Sequence, residues 1–354
     1  MHFIFPLDGD MLSACDGEER GGRLFVTVKV SAPPRCELYV NRVKLIETNG
    51  LYAADVPVDG YRSTLALYEA RSRITREIVV YRLTNAANTY RLWLDDNIWC
   101  LKDLAENASQ YSSIFDNPYF ALYKKAHAST GVNVHMNIYY QCDGFNLSMM
   151  PDKYKNEFKA NASWLRLAFH AKQNDPDRIY RDVSYDELFA DYGMVTEQIR
   201  RFAGQDYIAP TAVLHWAECP VEGVRALRAR GIRCLMALPE APGNIPTTSY
   251  HLDLGQTLNL QKREFWKDNV EDMVFGRINI ILNKGACENI LPALEEEKSD
   301  PHRSGTMELL IHEQYFYPHY RHYLPDYEKR VLSAVKWTAD NGYEPKWLEE
   351  CVLE

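Results

Sequence analysis

The sequence predicts an α/β protein in two parts, a small all-β segment followed by a longer stretch in which strands and helices alternate. Three observations carry this. Short runs of alternating apolar residues, separated by turn residues, fill the first 90 positions. Beyond them, helical segments opened by Pro or closed by Gly alternate with short apolar runs. Acids and histidines then gather at the ends of those later runs. At 354 residues the length suits about two domains.

In the first part the runs are RLFVTVKVSA (23–32), CELYVNRVKLI (36–46), LYAADVPV (51–58), STLALYEA (63–70) and REIVVYRL (76–83). They are rich in Val, Leu and Tyr, which fit a half-buried pleated surface. APP, TNG and VDGYR mark turns between them. Five short strands at this spacing predict a β-sandwich of immunoglobulin type over 1–88. None of its polar residues forms a catalytic pattern, so a packing or positioning role is expected, with carbohydrate binding as the other reading.

The link is short, near 84–91, and the second part runs over 89–354. RLWLDD (91–96) is a strand ending in two acids. NPYFALYKKAHASTG (117–131) reads as a helix and VNVHMNIYY (132–140) as a strand. PDKYKNEFKANA (151–162) is a helix and WLRLAFHA (164–171) a strand. SYDELFADYGMVTEQIRRFAG (184–204) is a helix with a Gly stop, followed by the strand TAVLHWAE (211–218). PVEGVRALRARG (220–231) is a helix, and IRCLMALP (232–239), FGRINIILN (275–283) and MELLIHEQYF (307–316) are strands. CENILPALEEEKSD and DYEKRVLSAVKWTADNG are the remaining helices. Such alternation implies parallel β, in a barrel or a doubly wound sheet.

Composition excludes several classes. Hydrophobic residues at 46% and charged residues at 25% rule out a disordered chain, a coiled coil and a collagen. The 40 Lys and Arg against 49 Asp and Glu give a net charge of −9. Neither nucleic acid nor an anionic membrane is expected as a partner, because both need clustered cations. No apolar run approaches a span of about 18 residues. MHFIFPLDGD has no basic n-region, so a cytoplasmic location is expected unless a signal has been removed. The eight cysteines form no C-x-x-C pair and read as buried thiols. No G-x-G-x-x-G, P-loop or G-x-S-x-G is present.

Sites in parallel α/β folds gather at the carboxyl ends of strands. Those ends hold Asp95 and Asp96, His170, His215 with Glu218, and His312 with Glu313. His135 lies earlier in its strand and is a weaker candidate. One strand-end histidine is ordinarily a core residue; three beside an Asp-Asp pair suggest a site. Histidines with carboxylates suit a divalent ion, zinc first, with iron, cobalt or nickel as alternatives. A carboxylate outside the ligand set can act as base and a histidine as acid. Adjacent acids on a regular strand point to opposite faces, so both reach one site only if the chain turns, for which Asn97 is well placed. Trp99 and Trp216 could wall a pocket or fill the core. HEQYFYPHYRHYLPDY (312–327), with Tyr315 and Tyr317 at its start, suits stacking on a carbohydrate substrate or a packed loop over the site.

RLWLDDNIW resembles the Asp-Asp motif of the polysaccharide deacetylases, the NodB-like carbohydrate esterases. WLRLAFHAKQND is similar to their second motif, and MELLIHEQYF to their late Leu-His motif. The resemblance implies an irregular (β/α) barrel over the second part, and an immunoglobulin-like domain before it is a familiar arrangement. It implies Asp95 as general base, Asp96 and His170 as metal ligands and His312 as general acid. The reaction implied is removal of an N- or O-acetyl group from a sugar by metal-activated water. The chain departs from the family in two places. Position 174 is Asn, where the family has its second His, and Asp175 follows it. The Arg-Pro-Pro-Tyr segment is replaced by TAVLHWAECP, which offers His215 as a ligand. Two other readings stand beside this one. A glycosidase- or lyase-like enzyme would pair Asp95 with Glu218 or Glu313. A non-catalytic carbohydrate-binding protein would follow from Asn174.

Overall fold

A computed structural model describes residues 1–205, 209–238, 240–241, 245–246 and 249–354. The last residue of the predicted strand 232–239 lies outside them. No helix among the described residues is long and apolar enough to cross a membrane.

The N-terminal residues form two five-stranded sheets that share one apolar core. Arg23–Ser31 shows why. Leu24, Val26, Val28 and Val30 are buried at every second position while their neighbours are more exposed, the period-2 signature of a strand with one dry face. Leu65 and Leu67 answer them from the other sheet. The predicted single strand 36–46 is instead a hairpin of Leu38–Val40 and Val43–Lys44. Asn41 and Arg42 both take positive φ, 47° and 69°, which makes the two-residue turn that such a hairpin uses.

The rest of the chain is mixed α/β with parallel pairing. Its main strands are β1 (Thr89–Asn97), β2 (Val134–Tyr139), β3 (Leu165–Ala171), β4 (Thr211–Ala212), β5 (Cys234–Ala237), β6 (Phe265–Asp268), β7 (Met273–Arg277), β8 (Ile280–Ile281), β9 (Thr306–His312) and β10 (Glu344–Pro345). One sheet has the order β3-β2-β1-β9-β8, with β10 also on β1. The other has the order β4-β5-β7-β6. Within these two sheets, among the described residues, only β6 is antiparallel to its neighbour.

The predicted strand 275–283 proves to be two. β7 belongs to the second sheet and β8 to the first, and the chain crosses between them at Ile278 and Asn279. The Ile278 amide donates to Ala237 O and the Asn279 amide to Glu308 O, each at 3.1 Å. The predicted strand 211–218 also fails. Only β4 is extended, and a single 3-10 turn, His215–Ala217, follows it. Trp216 and Ala217 have φ of 63° and 48°, which no strand accommodates. Likewise β9 stops at His312, and Glu313–Phe316 is a 3-10 turn.

Helices cover the sheets. α1 (Trp99–Glu106) follows β1 directly. In α2 (Pro118–Thr130) the Asn117 side chain caps the start, Pro118 stands in the first turn and Gly131 ends it at φ 73°. An N-cap of this kind is worth about 1 kcal/mol. Burial of Tyr119, Phe120, Leu122 and Tyr123, at about 1.5–3 kcal/mol each, decides where the helix docks.

Candidate metal centre

The Asp95-Asp96 pair depends on a defect in the ladder. Leu94 pairs with Met136, but the next pairing is Asn97 with Ile138. β1 therefore carries one residue more than β2 between these points, a β-bulge. Asp96 takes up the extra residue at φ 64°, a left-handed conformation that Asp tolerates better than bulkier residues. The turn expected at Asn97 thus falls one residue earlier, and Asn97 remains in the strand. Its side-chain amide replaces lost ladder bonds, donating to Leu94 O at 2.6 Å and Asn137 O at 2.9 Å. The Tyr119 hydroxyl donates to its oxygen at 2.9 Å.

The bulge turns Asp96 toward the ends of β2 and β3. Its Oδ1 lies 3.0 Å from His170 Nε2 and 3.2 Å from His215 Nδ1. The two histidine nitrogens are 3.3 Å apart. All three residues are buried, and together they could hold a metal ion. His170 comes from the end of β3. His215 comes from the 3-10 turn after β4, so the failure of that predicted strand is what brings the residue inward. His170 Nδ1 donates to Val213 O at 2.5 Å, which fixes the tautomer and turns the Nε2 lone pair to the centre.

The donor set passes the test for a divalent ion. Ligand atoms about 2.0–2.2 Å from one ion stand roughly 3.0–3.5 Å from each other, the spacing found here. Electrostatics agree. Burial works to raise the Asp96 carboxyl, yet the His170 and His215 imidazoles outweigh it and hold it well below the usual range. Burial works to lower His170, yet the carboxylates of Asp95 and Asp96 raise it. Both shifts mean that the site draws positive charge.

Asp95 and His312 are register partners on β1 and β9. Burial pushes the Asp95 carboxyl up, against the pull of His170 and His312. Asn137 donates to Asp95 Oδ1 at 2.8 Å. His312 Nδ1 lies 2.9 Å from Asn283 Oδ1. Asp96 opens onto a cleft of about 620 Å³ whose wall includes Trp99, Asn174, Asp175 and Tyr320.

Several expected site residues lie elsewhere. Glu313 is fully buried and accepts from the amides of Ile98, Trp99 and Cys100 at 2.6, 2.9 and 2.6 Å. It caps α1, because a carboxylate at a helix N-terminus meets free N–H groups and the positive end of the dipole. Glu218 pairs with Arg178 at 3.1 Å and Arg181 at 3.0 Å. Asp175 lines the cleft and is not one of the three converging donors. Trp216 is 47% exposed, with the Arg178 guanidinium 4.6 Å from its ring. Tyr317 packs on Trp99 and directs its hydroxyl to Glu313. Tyr315 packs on Tyr320 and His312. The 312–327 segment is therefore largely a packed loop beside the cleft.

Three site residues escaped the sequence reading. Tyr139 donates a short hydrogen bond to Asp96 Oδ1, Gln314 Nε2 donates to Asp96 Oδ2 at 2.6 Å, and Asn137 holds Asp95. Asn137 and Tyr139 share a face of β2 two residues apart, and β2 lies between β1 and β3. That alternation was the available signal.

Neither a protein-family model nor a curated protein matches the sequence. Among solved structures, 4-alpha-glucanotransferase from Thermococcus litoralis matches at 12% identity and TM-score 0.45, over 75% of this chain and 39% of its own. This chain thus spans well under two thirds of that protein. A candidate polysaccharide deacetylase involved in O-antigen biosynthesis from Bordetella bronchiseptica matches at 10% identity and TM-score 0.34, over 72% of this chain and 91% of its own. At such identities neither likeness carries chemistry to this chain.

Proposed function

We propose that the protein is a metal-dependent hydrolase that removes acetyl groups from a carbohydrate. The observation that carries this reading is the convergence of Asp96 Oδ1, His170 Nε2 and His215 Nδ1 within 3.3 Å of one another, beside the Asp95–His312 pair and beneath a cleft. A divalent ion held by Asp96, His170 and His215, with zinc, iron, cobalt and nickel all suited to the donors, supplies Lewis acidity that polarises a carbonyl and acidifies water. Asp95 takes the proton from the attacking water. His312, on the next strand, gives a proton to the leaving group. Trp99 lines the cleft, and the side-chain amides of Gln141, Asn146 and Asn174 offer partners for hydroxyl groups of a sugar.

In this reading residues 1–88 are a non-catalytic immunoglobulin-like module and 89–354 a NodB-like barrel; a separate apolar core for the N-terminal sheets supports the division. A glycosidase-like mechanism gains no support, since Glu218 and Glu313 are both engaged away from Asp95. Against the binding-only reading, His215 stands with Asp96 and His170 where Asn174 does not.

His312→Ala is the test. It should lower acetate release from acetylated sugars by about 10²–10⁴-fold, with metal per chain unchanged by elemental mass spectrometry. New reducing ends without acetate, or full activity in the variant, would refute the reading.

A further inference from the structure

We infer that Tyr139 is a fourth protein ligand to the ion, binding through its phenolic oxygen as the phenolate, its proton released to solvent as the ion enters, in the place that Asn174 does not reach. This rests on the metal site proposed above. Tyr139 ends β2, the strand between those carrying Asp96 and His170, and is 2% exposed. Its Oη makes a short hydrogen bond to Asp96 Oδ1 and lies 2.9 Å from His215 Nδ1. These are two of the three converging donor atoms. Contact with both at once is the position a further ligand of the same ion occupies, since neighbouring ligands stand about 3 Å apart. Asn174 Oδ1 lies 3.4 Å from the same Oη, on the cleft side. The phenol therefore stands between the carboxamide and the triad.

The assignment has a consequence for the metal. With four protein donors, a position stays open toward the cleft only if the ion accepts five or six ligands. Iron, cobalt and nickel meet that demand more readily than tetrahedral zinc. The two-oxygen, two-nitrogen set with a phenol favours iron among them.

Spectroscopy separates ligation from a hydrogen bond that only orients Asp96. Metal-free protein is loaded with ferrous iron under nitrogen and then oxidised. The wild type should show a visible tyrosinate-to-iron charge-transfer band, with tyrosinate ring modes in resonance Raman spectra excited within it. Tyr139→Phe should lose the band and bind iron at least about tenfold more weakly. Iron bound by the wild type without the band or the ring modes overturns the inference and leaves the metal site standing. So does a band that persists in the Phe variant. Failure of the wild type to take up iron, zinc or cobalt overturns both.

Discussion

Strands β1 and β9 carry buried polar side chains at two levels. At the lower level Arg91 faces Glu308 in register, 3.3 Å apart, with both almost fully buried. Trp93 Nε1 donates to Glu308 at 2.7 Å, and Cys351 closes over Thr89 and Arg91. His135, on β2 beside them, is driven down to about 3 by burial and packs at a tilt against Trp93. Two residues beyond Trp93, Asp95 faces His312 on the same strands. There the carboxylates meet histidines, and a cleft opens above them. The lower level holds its own cation and is sealed. The upper level converges three donors on one point and leaves the charge for a ligand to complete. Burial of charge alone does not distinguish the two; the guanidinium set against the carboxylate below, and the convergence of donors with access from the cleft above, do.

The sharpest way to break this comparison is Asp96→Ala. It should abolish stoichiometric metal binding and acetate release together, each read per folded chain. Metal retained in full would dissolve the distinction. Glu308→Gln should do the reverse. It keeps an acceptor for Trp93 but strands Arg91, at a cost of roughly 3–5 kcal/mol as for other broken buried pairs. Metal per folded chain should stay unchanged.

Glu264, below Thr306 at the lower end, gives a smaller effect with a defined sign. Burial pushes its carboxyl from 4.5 up to about 8. The folded chain then keeps a proton that the unfolded chain releases, so stability falls as pH rises from about 4.5 to about 8. The loss should be about 2–4 kcal/mol. Glu264→Gln, which still accepts from the Thr306 amide, should flatten that slope in denaturant titrations. A slope left intact would place the titration in another group.

Local pattern made much of the fold legible. The alternation in 23–32 and 63–70, the Asn117–Gly131 bracket and the Ser184–Gly204 bracket all correspond to observed elements. The misreadings occur where tertiary hydrogen bonding overrides an apolar run, as at 211–218 and 275–283. Each run has strand-like composition, but its backbone partners belong to different segments, so it breaks.

The sequence by itself determined the strand–helix alternation and the strand-end position of Asp96, His170 and His312. Those follow from residue type and spacing along one chain. Only the tertiary structure decided that a bulge at Asp96 aims it at both histidines, and that Glu313 caps a helix while Glu218 meets arginines. It alone placed Tyr139 against the donors. Asp96 and His215 are 119 positions apart (215 − 96) in the numbering of the chain, and their approach is set by ladder register and side-chain reach, which no local pattern encodes.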